Sequence, residues 1–243
     1  ATTEDTVMQI DYAMNRMYGL GLPLLYVMGN HDDNRYMGTG SECFKPADIA
    51  EYYGTFCTDS RVSCKSEDGM SYYVDFEKYK IRIFVLDSNR AVTYYGTTRW
   101  YHGWSDQTTS WFATQMTSVP EDYSVIVCTH ESIIENQLYK NSAAVTDAIQ
   151  TYTDRGGDYI CTLYGHIHSD FSSEEPWLEI SLSAQKCENS VLSETEEKYG
   201  ATVPERVVGT ASEDNWAVLI VDPDNRSIRE IRFGAGDDRA WSY

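Results

Sequence analysis

The chain has 243 residues, enough for a sizeable core in one α/β domain spanning 1–243, and 42% apolar with 13% aromatic content excludes a disordered polymer. Asp and Glu number 38 against 19 Lys and Arg, a formal charge of −19, so no broad basic field is available to grip a nucleic-acid backbone. No apolar run reaches the length of a membrane span, and the chain is too long, with no Cys-x-x-Cys pair, for its 6 cysteines to read as a disulfide framework.

In chain order, Glu4 to Tyr18 predicts a helix: Val7, Ile10, Met14 and Met17 share one face, Thr3 caps it, Glu4 and Asp5 suit its positive end, and Gly19 or Gly21 stops it. Leu24 to Met28, a continuous apolar run after Pro23, predicts a buried strand, with Gly29-Asn30-His31-Asp32 turning at its carboxyl end. Asp48 to Tyr53 predicts a short helix and Gly54 to Gly69 a loop, with Cys57 and Cys64 either free or paired across it. Ser71 to Phe76 and Ile81 to Asp87 predict an antiparallel pair. From Ser88 to Gly103 the pattern breaks, which predicts a long excursion carrying Arg90, Tyr94, Tyr95, Arg99, Trp100, Tyr101 and His102.

Asp106 to Thr117 predicts a helix with Trp111 and Phe112 inward, Ser124 to Thr129 a strand ending at His130, and Ala143 to Asp154 a helix stopped by Gly156-Gly157. Tyr159 to Tyr164 predicts a strand ending at Gly165-His166, and Trp177 to Leu182 another; Cys128 and Cys161 lie within apolar runs as buried thiols. Gln185 to Gly209 is polar and weakly patterned, and Trp216 to Asp222 with Ser227 to Phe233 predicts a hairpin around Pro223-Asp224-Asn225-Arg226. Strands that alternate with helices and then run antiparallel predict an α/β (α+β) fold, two mixed sheets packed as a sandwich flanked by helices.

Four of the 5 histidines, His31, His130, His166 and His168, fall just after apolar runs predicted as strands. A single histidine after a strand is ordinarily a capped or solvated side chain. Several at strand ends, which a sheet gathers along one edge, point instead to a metal centre. Imidazole nitrogens with amide or carboxylate oxygens suit zinc, iron or manganese. In an extended segment His166 and His168 would present both rings on one face, and Asn30 would offer a neutral oxygen.

Gly29-Asn30-His31-Asp32, Thr129-His130 and Gly165-His166-Ile167-His168 together resemble the three carboxyl-side motif blocks of the calcineurin-like metallophosphoesterases, and Phe233 to Arg239 resembles the ending of some bacterial members. The resemblance implies a phosphomonoesterase or phosphodiesterase with a binuclear metal centre of two divalent ions. It implies Asn30, His130 and His166 as ligands of one ion and His168 as a ligand of the second. It implies His31 as the acid that protonates the departing alkoxide, with Asp32 tuning its ring. Arg35, Arg90, Arg99 and His102 are candidates for contacting a phosphorylated small molecule or phosphodiester.

The family's Asp-x-His and Gly-Asp-x-x-Asp blocks are absent from this sequence, and Asp5 and Asp11 fall within the helical pattern. The expectation is therefore that this chain by itself binds at most one divalent ion usefully and turns over phosphoesters poorly. A missing N-terminal segment or a homo-oligomeric partner would then cover an exposed sheet edge. The alternative is a degenerate family fold that binds a protein or glycan. Compartment stays open between secreted or cell-envelope and cytoplasmic.

Overall fold

The computed structural model describes residues 3–32, 46–55, 57–62, 64–94, 97–134, 139–183, 197–198 and 200–243. Helix α1 (Thr3–Tyr18) runs one residue further back than its apolar period requires, so Thr3 lies inside it rather than capping it. Gly19 N–H closes on Asn15 O at 3.3 Å, and Gly21 takes φ 66°, a left-handed stop. Val7, Ile10 and Met14 pack against Met28, Tyr53 and Met70, together with helix α2 (Pro46–Gly54). Tyr52 ties the two helices together, its hydroxyl reaching Asp11 Oδ1 at 3.0 Å.

The apolar run Leu24–Met28 predicts a strand, but the structure gives it no ladder. A phenol stands in for the neighbouring strand: Tyr26 N–H donates to the Tyr72 hydroxyl at 2.7 Å, and that hydroxyl donates back to Tyr26 O at 2.8 Å. Met28 O accepts from Asn89 Nδ2 at 3.0 Å. Leu25 and Val27 still bury themselves against Tyr72, Val74 and Val85, so the apolar character serves packing without strand pairing.

The main sheet has seven strands. They are β1 (Cys64–Lys65), β2 (Tyr72–Phe76), β3 (Ile81–Leu86), β6 (Ser124–Thr129), β7 (Asp158–Tyr164), β8 (Phe171–Ser173) and β9 (Glu179–Ser181), in the order β1-β2-β3-β6-β7-β9-β8. The centre, β3-β6-β7-β9, is parallel, while β2 pairs antiparallel with both β1 and β3 and β8 runs antiparallel to β9.

Alternate residues of the central strands face opposite covers. Phe84, Leu86, Val125 and Val127 pack under helices α3 (Asp106–Thr117) and α4 (Ser142–Asp154), against Phe112, Met116, Val145 and Ile149. Ile81, Ile126, Ile160 and Ile180 face a second sheet through its Ile228 and Trp241. That sheet, β10 (Asn215–Asp222), β11 (Ser227–Gly234) and β12 (Arg239–Ser242), is wholly antiparallel rather than mixed. Strands covered on both faces read as continuous apolar runs, as these do.

The stretch from Ser88 to Gly103, expected as an irregular excursion, is a hairpin: β4 (Asn89–Tyr94) pairs with β5 (Thr97–His102), Asn89 opposite His102. The backbone register sets Arg90 opposite Tyr101 and Val92 opposite Arg99, so charged residues break the alternation by which a hairpin is read from sequence. Cys57, Cys64, Cys128 and Cys161 are free thiols, so Cys57 and Cys64 are not joined; Cys128 is half-buried and Cys161 buried. Cys43 and Cys187 lie outside the described residues. Among the described residues no helix is long and apolar enough to cross a membrane.

Candidate metal centre

Parallel order places the carboxyl ends of β3, β6, β7 and β9 on one edge of the sheet, where ligands collect in such folds. Gly165 N–H donates to His130 O at 3.2 Å, one rung beyond the β6–β7 ladder, so His130 and His166 leave neighbouring strands side by side. The loop after His130 is pinned from two directions. Glu131 N–H donates to Ser88 Oγ at 3.2 Å, and the buried Glu179 carboxylate accepts from Ser132 Oγ at 2.6 Å and from Ile133 N–H at 2.9 Å.

After β7 the chain turns sharply rather than staying extended. Ile167 N–H reaches Gly165 O at 2.7 Å, with His166 at the centre of that turn at φ 62° and His168 following at φ 56°. Side chains other than glycine rarely adopt such backbone, which costs about 1–3 kcal/mol per residue and persists where the surroundings enforce it. The expected shared face of an extended segment is therefore replaced by two left-handed residues. The Gly29–Asp32 turn approaches from the segment that has no ladder. Asp32 N–H bonds Gly29 O at 3.2 Å, and Asp32 Oδ2 accepts from Gly29 N–H at 2.7 Å and from the Tyr26 hydroxyl. A side chain at Gly29 would bring its Cβ to 3.2 Å from the His130 ring, so any larger residue would have to push that ring aside by a few tenths of an ångström.

The resulting geometry is a chain of donor atoms. Asn30 Oδ1 lies 2.9 Å from His130 Nε2, and His130 Nε2 lies 3.3 Å from His166 Nδ1. Atoms sharing one ion at bonds of about 2.0–2.1 Å lie roughly 3–3.5 Å apart, so each adjacent pair has the spacing of neighbouring ligands on one cation. Burial, reinforced by the His166, His168, His102 and His31 imidazoles, pushes the His130 pKa down to about 3. Burial also lowers that of His166, against the opposing pull of Glu131. Both rings are thus neutral at neutral pH with lone pairs available, the form in which imidazole binds metal.

His31 is exposed and His168 is half-buried; both are near enough to act electrostatically on His130 and His166. Asp11 sits on α1 bonded to Tyr52, in the helical position expected of it. Arg35 lies outside the described residues. Arg90 and Arg99 are placed by backbone pairing on β4 and β5, opposite Tyr101 and Val92, and their side chains lie outside what is described.

His102, grouped from sequence with substrate contacts, is half-buried beside the centre. Its ring centroid is 5.1 Å from that of His166, and its Nδ1 is bonded to Glu131 Oε1. Gly103 holds it there: the backbone of Lys140 passes so close that a Cβ would stand 2.4 Å from Lys140 O, and Lys140 N–H donates to His102 O at 3.1 Å. Glu131 itself, absent from the sequence candidates, is fully buried, with Oε1 3.5 Å from His166 Nδ1. The only sequence signal for it is a carboxylate directly after a strand-end histidine.

A family model described as calcineurin-like phosphoesterase matches residues 3–170. Among solved structures, the crystal structure of a dimetal phosphatase from Danio rerio is similar, at 12% identity and a TM-score of 0.63, covering 99% of this chain and 78% of that one. At that identity the likeness is one of fold. No curated protein matches.

Proposed function

Because the chain belongs to the calcineurin-like phosphoesterase family, a family of metal-dependent phosphoester hydrolases, we propose that it hydrolyses a phosphorylated small molecule or phosphodiester at the edge carrying Asn30, His130 and His166. The observation that carries this reading is the convergence of Asn30 Oδ1, His130 Nε2 and His166 Nδ1 at 2.9 and 3.3 Å. These three would hold one divalent ion of the zinc, iron or manganese class, and His168 would face the place of a second. Such ions supply Lewis-acid polarisation of the phosphoryl oxygens and an activated water.

The chain's own groups do the rest. His31, which is exposed, donates a proton to the departing alkoxide; Asp32, bonded back to Gly29 N–H and Tyr26, fixes the turn that presents it. Arg35, Arg90 and Arg99 are the proposed phosphate contacts, since guanidinium matches phosphate in shape and charge. The sequence contains no Asp-x-His or Gly-Asp-x-x-Asp, so the ligand set serves one ion well and turnover by this chain is expected to be slow. A second copy, or further chain covering the sheet edge, is the proposed source of the remaining carboxylates. The same absence favours one other reading, a family fold used to bind a protein or glycan.

The test is hydrolysis of p-nitrophenyl phosphate and of its bis-ester with added manganese or zinc. Slow turnover that chelation removes and His166→Ala abolishes is expected. Turnover indifferent to chelation contradicts the proposal, and a chain that binds metal yet shows no turnover above His166→Ala favours the binding module.

A further inference from the structure

We propose that Glu131 supplies the carboxylate ligand of the ion held by Asn30, His130 and His166, and that His102 is the positioning residue that aims it. The inference rests on the metal-binding reading above and extends it to two residues outside the resembling motifs. Glu131 is 0% exposed, and its Oε2 has no hydrogen-bond partner among the described residues. No Lys or Arg pairs with it among the described residues; its neighbours are His102, bonded to Oε1, and His166, whose Nδ1 lies 3.5 Å from that same oxygen.

A buried carboxylate with an idle oxygen and no cationic side chain is costly by itself. A divalent ion on one amide and two neutral imidazoles has the complementary deficit, two positive charges with no anion among its ligands. Seating the ion against Glu131 answers both. His166 Nδ1 has His130 Nε2 at 3.3 Å on one side and Glu131 Oε1 at 3.5 Å on the other, and ligand atoms of His102, Glu131 and His166 lie within 4.8 Å of one another, so Glu131 adjoins the centre through His166. The resulting set, two imidazoles with an amide and a carboxylate oxygen, suits zinc, manganese or ferrous iron. The carboxylate is held in place by its own backbone N–H on Ser88 Oγ and by His102, which Gly103 and Lys140 lock at the end of β5. Partners that orient a ligand in this way are worth about 10–100-fold in metal affinity.

Zinc titrated calorimetrically into the full chain tests this against three variants. Glu131→Gln, folded by thermal melt, is expected to bind at least about tenfold more weakly than wild type, and His102→Ala about tenfold more weakly with partial rescue in His102→Gln. His130→Ala tests the underlying metal site instead: its loss of binding beside an unchanged Glu131→Gln overturns this inference alone. A wild type that binds no zinc overturns both. Should Glu131→Gln unfold, wild-type crystals soaked in zinc decide. An anomalous peak within about 2.2 Å of a Glu131 carboxylate oxygen is the expected result, and a peak on His130 and His166 away from that carboxylate overturns it.

Discussion

His130 and His166 reach the centre on neighbouring strands of a hydrogen-bonded sheet, whereas Asn30 and His31 reach it on a segment that belongs to no sheet. On the sheet side, position is set by the β6–β7 ladder, by Gly165 N–H on His130 O, and by the Glu179 carboxylate gripping Ser132 and Ile133. On the other side, the Tyr72 hydroxyl, Asn89 Nδ2 and Asp32 do the work that strand partners would do. A ladder spreads its tolerance over many bonds, while a few side chains concentrate it. The difference locates the fragile half of the site: the amide ligand and the proposed acid should drift first, with the two sheet-borne imidazoles staying in place.

The largest expected effect lies on the fragile side. In a preparation with measurable turnover, His31→Ala should lower kcat by about 10²–10⁴-fold while leaving metal affinity near wild type, the range typical of a lost general acid. Equal loss of metal binding would make His31 a ligand and erase the division of labour.

The next largest lies on the sheet side. Arg232, with only 2% of its side chain exposed, bonds Asp170 Oδ1 at 2.6 Å and lies 3.2 Å from Glu230 Oε1, while Arg239 reaches Glu230 and donates to Ser181 O at 2.9 Å. This buried network clamps β11 and β12 to the stretch just after His168. Arg232→Ala should cost about 1.5–3 kcal/mol in chemical denaturation, because buried Asp170 loses its shortest partner while Arg239 still pairs with Glu230 and lies 3.6 Å from Asp170. A loss below about 1 kcal/mol would show that the clamp is not what holds the histidine turn.

Part of this arrangement is legible in the sequence, and the reasons for the rest are physical. Ser124 to Thr129 is read to its observed bounds, and His130 with it, because a strand covered on both faces leaves an uninterrupted apolar run. Leu24 to Met28 has the same signature yet lacks strand partners, since apolar runs report burial and say nothing about where the backbone finds its hydrogen bonds. Ser88 to Gly103 hides a hairpin because arginines and tyrosines interrupt its alternation. Glu131 does not stand out in a chain with 38 carboxylates; only three dimensions show that this one is buried against two imidazoles. The left-handed backbone at His166 and His168 is likewise not legible, because histidine, although enriched at positive φ relative to most residues, still adopts it only uncommonly.

Smaller effects sharpen the comparison. Tyr72→Phe leaves Tyr26 N–H and C=O without their phenol, and should cost about 1–3 kcal/mol of stability. It should also weaken zinc binding more than Ser132→Ala does, since the first loosens the Asn30 arm and the second only one of two bonds to Glu179. The reverse order would mean that the sheet arm is the fragile one.

The smallest is a pH slope. The folded His130 pKa of about 3 lies below the ordinary imidazole value of 6.5. Below about pH 6.5 the unfolded chain takes up a proton that the folded chain refuses, so metal-free stability is flat above that point and falls as pH drops toward 3. The contribution is at most about 1.4 kcal/mol per pH unit for the single group. His130→Gln should remove this component, read as the difference between the two unfolding curves, and parallel curves would place the ring in solvent.

Equilibrium dialysis of the full chain against manganese or zinc, followed by counting of bound metal, tests the convergence of Asn30, His130 and His166 most directly. One ion per chain is expected, lost together in Asn30→Ala, His130→Ala and His166→Ala. No bound ion, two tightly bound ions, or one that survives all three substitutions would contradict it.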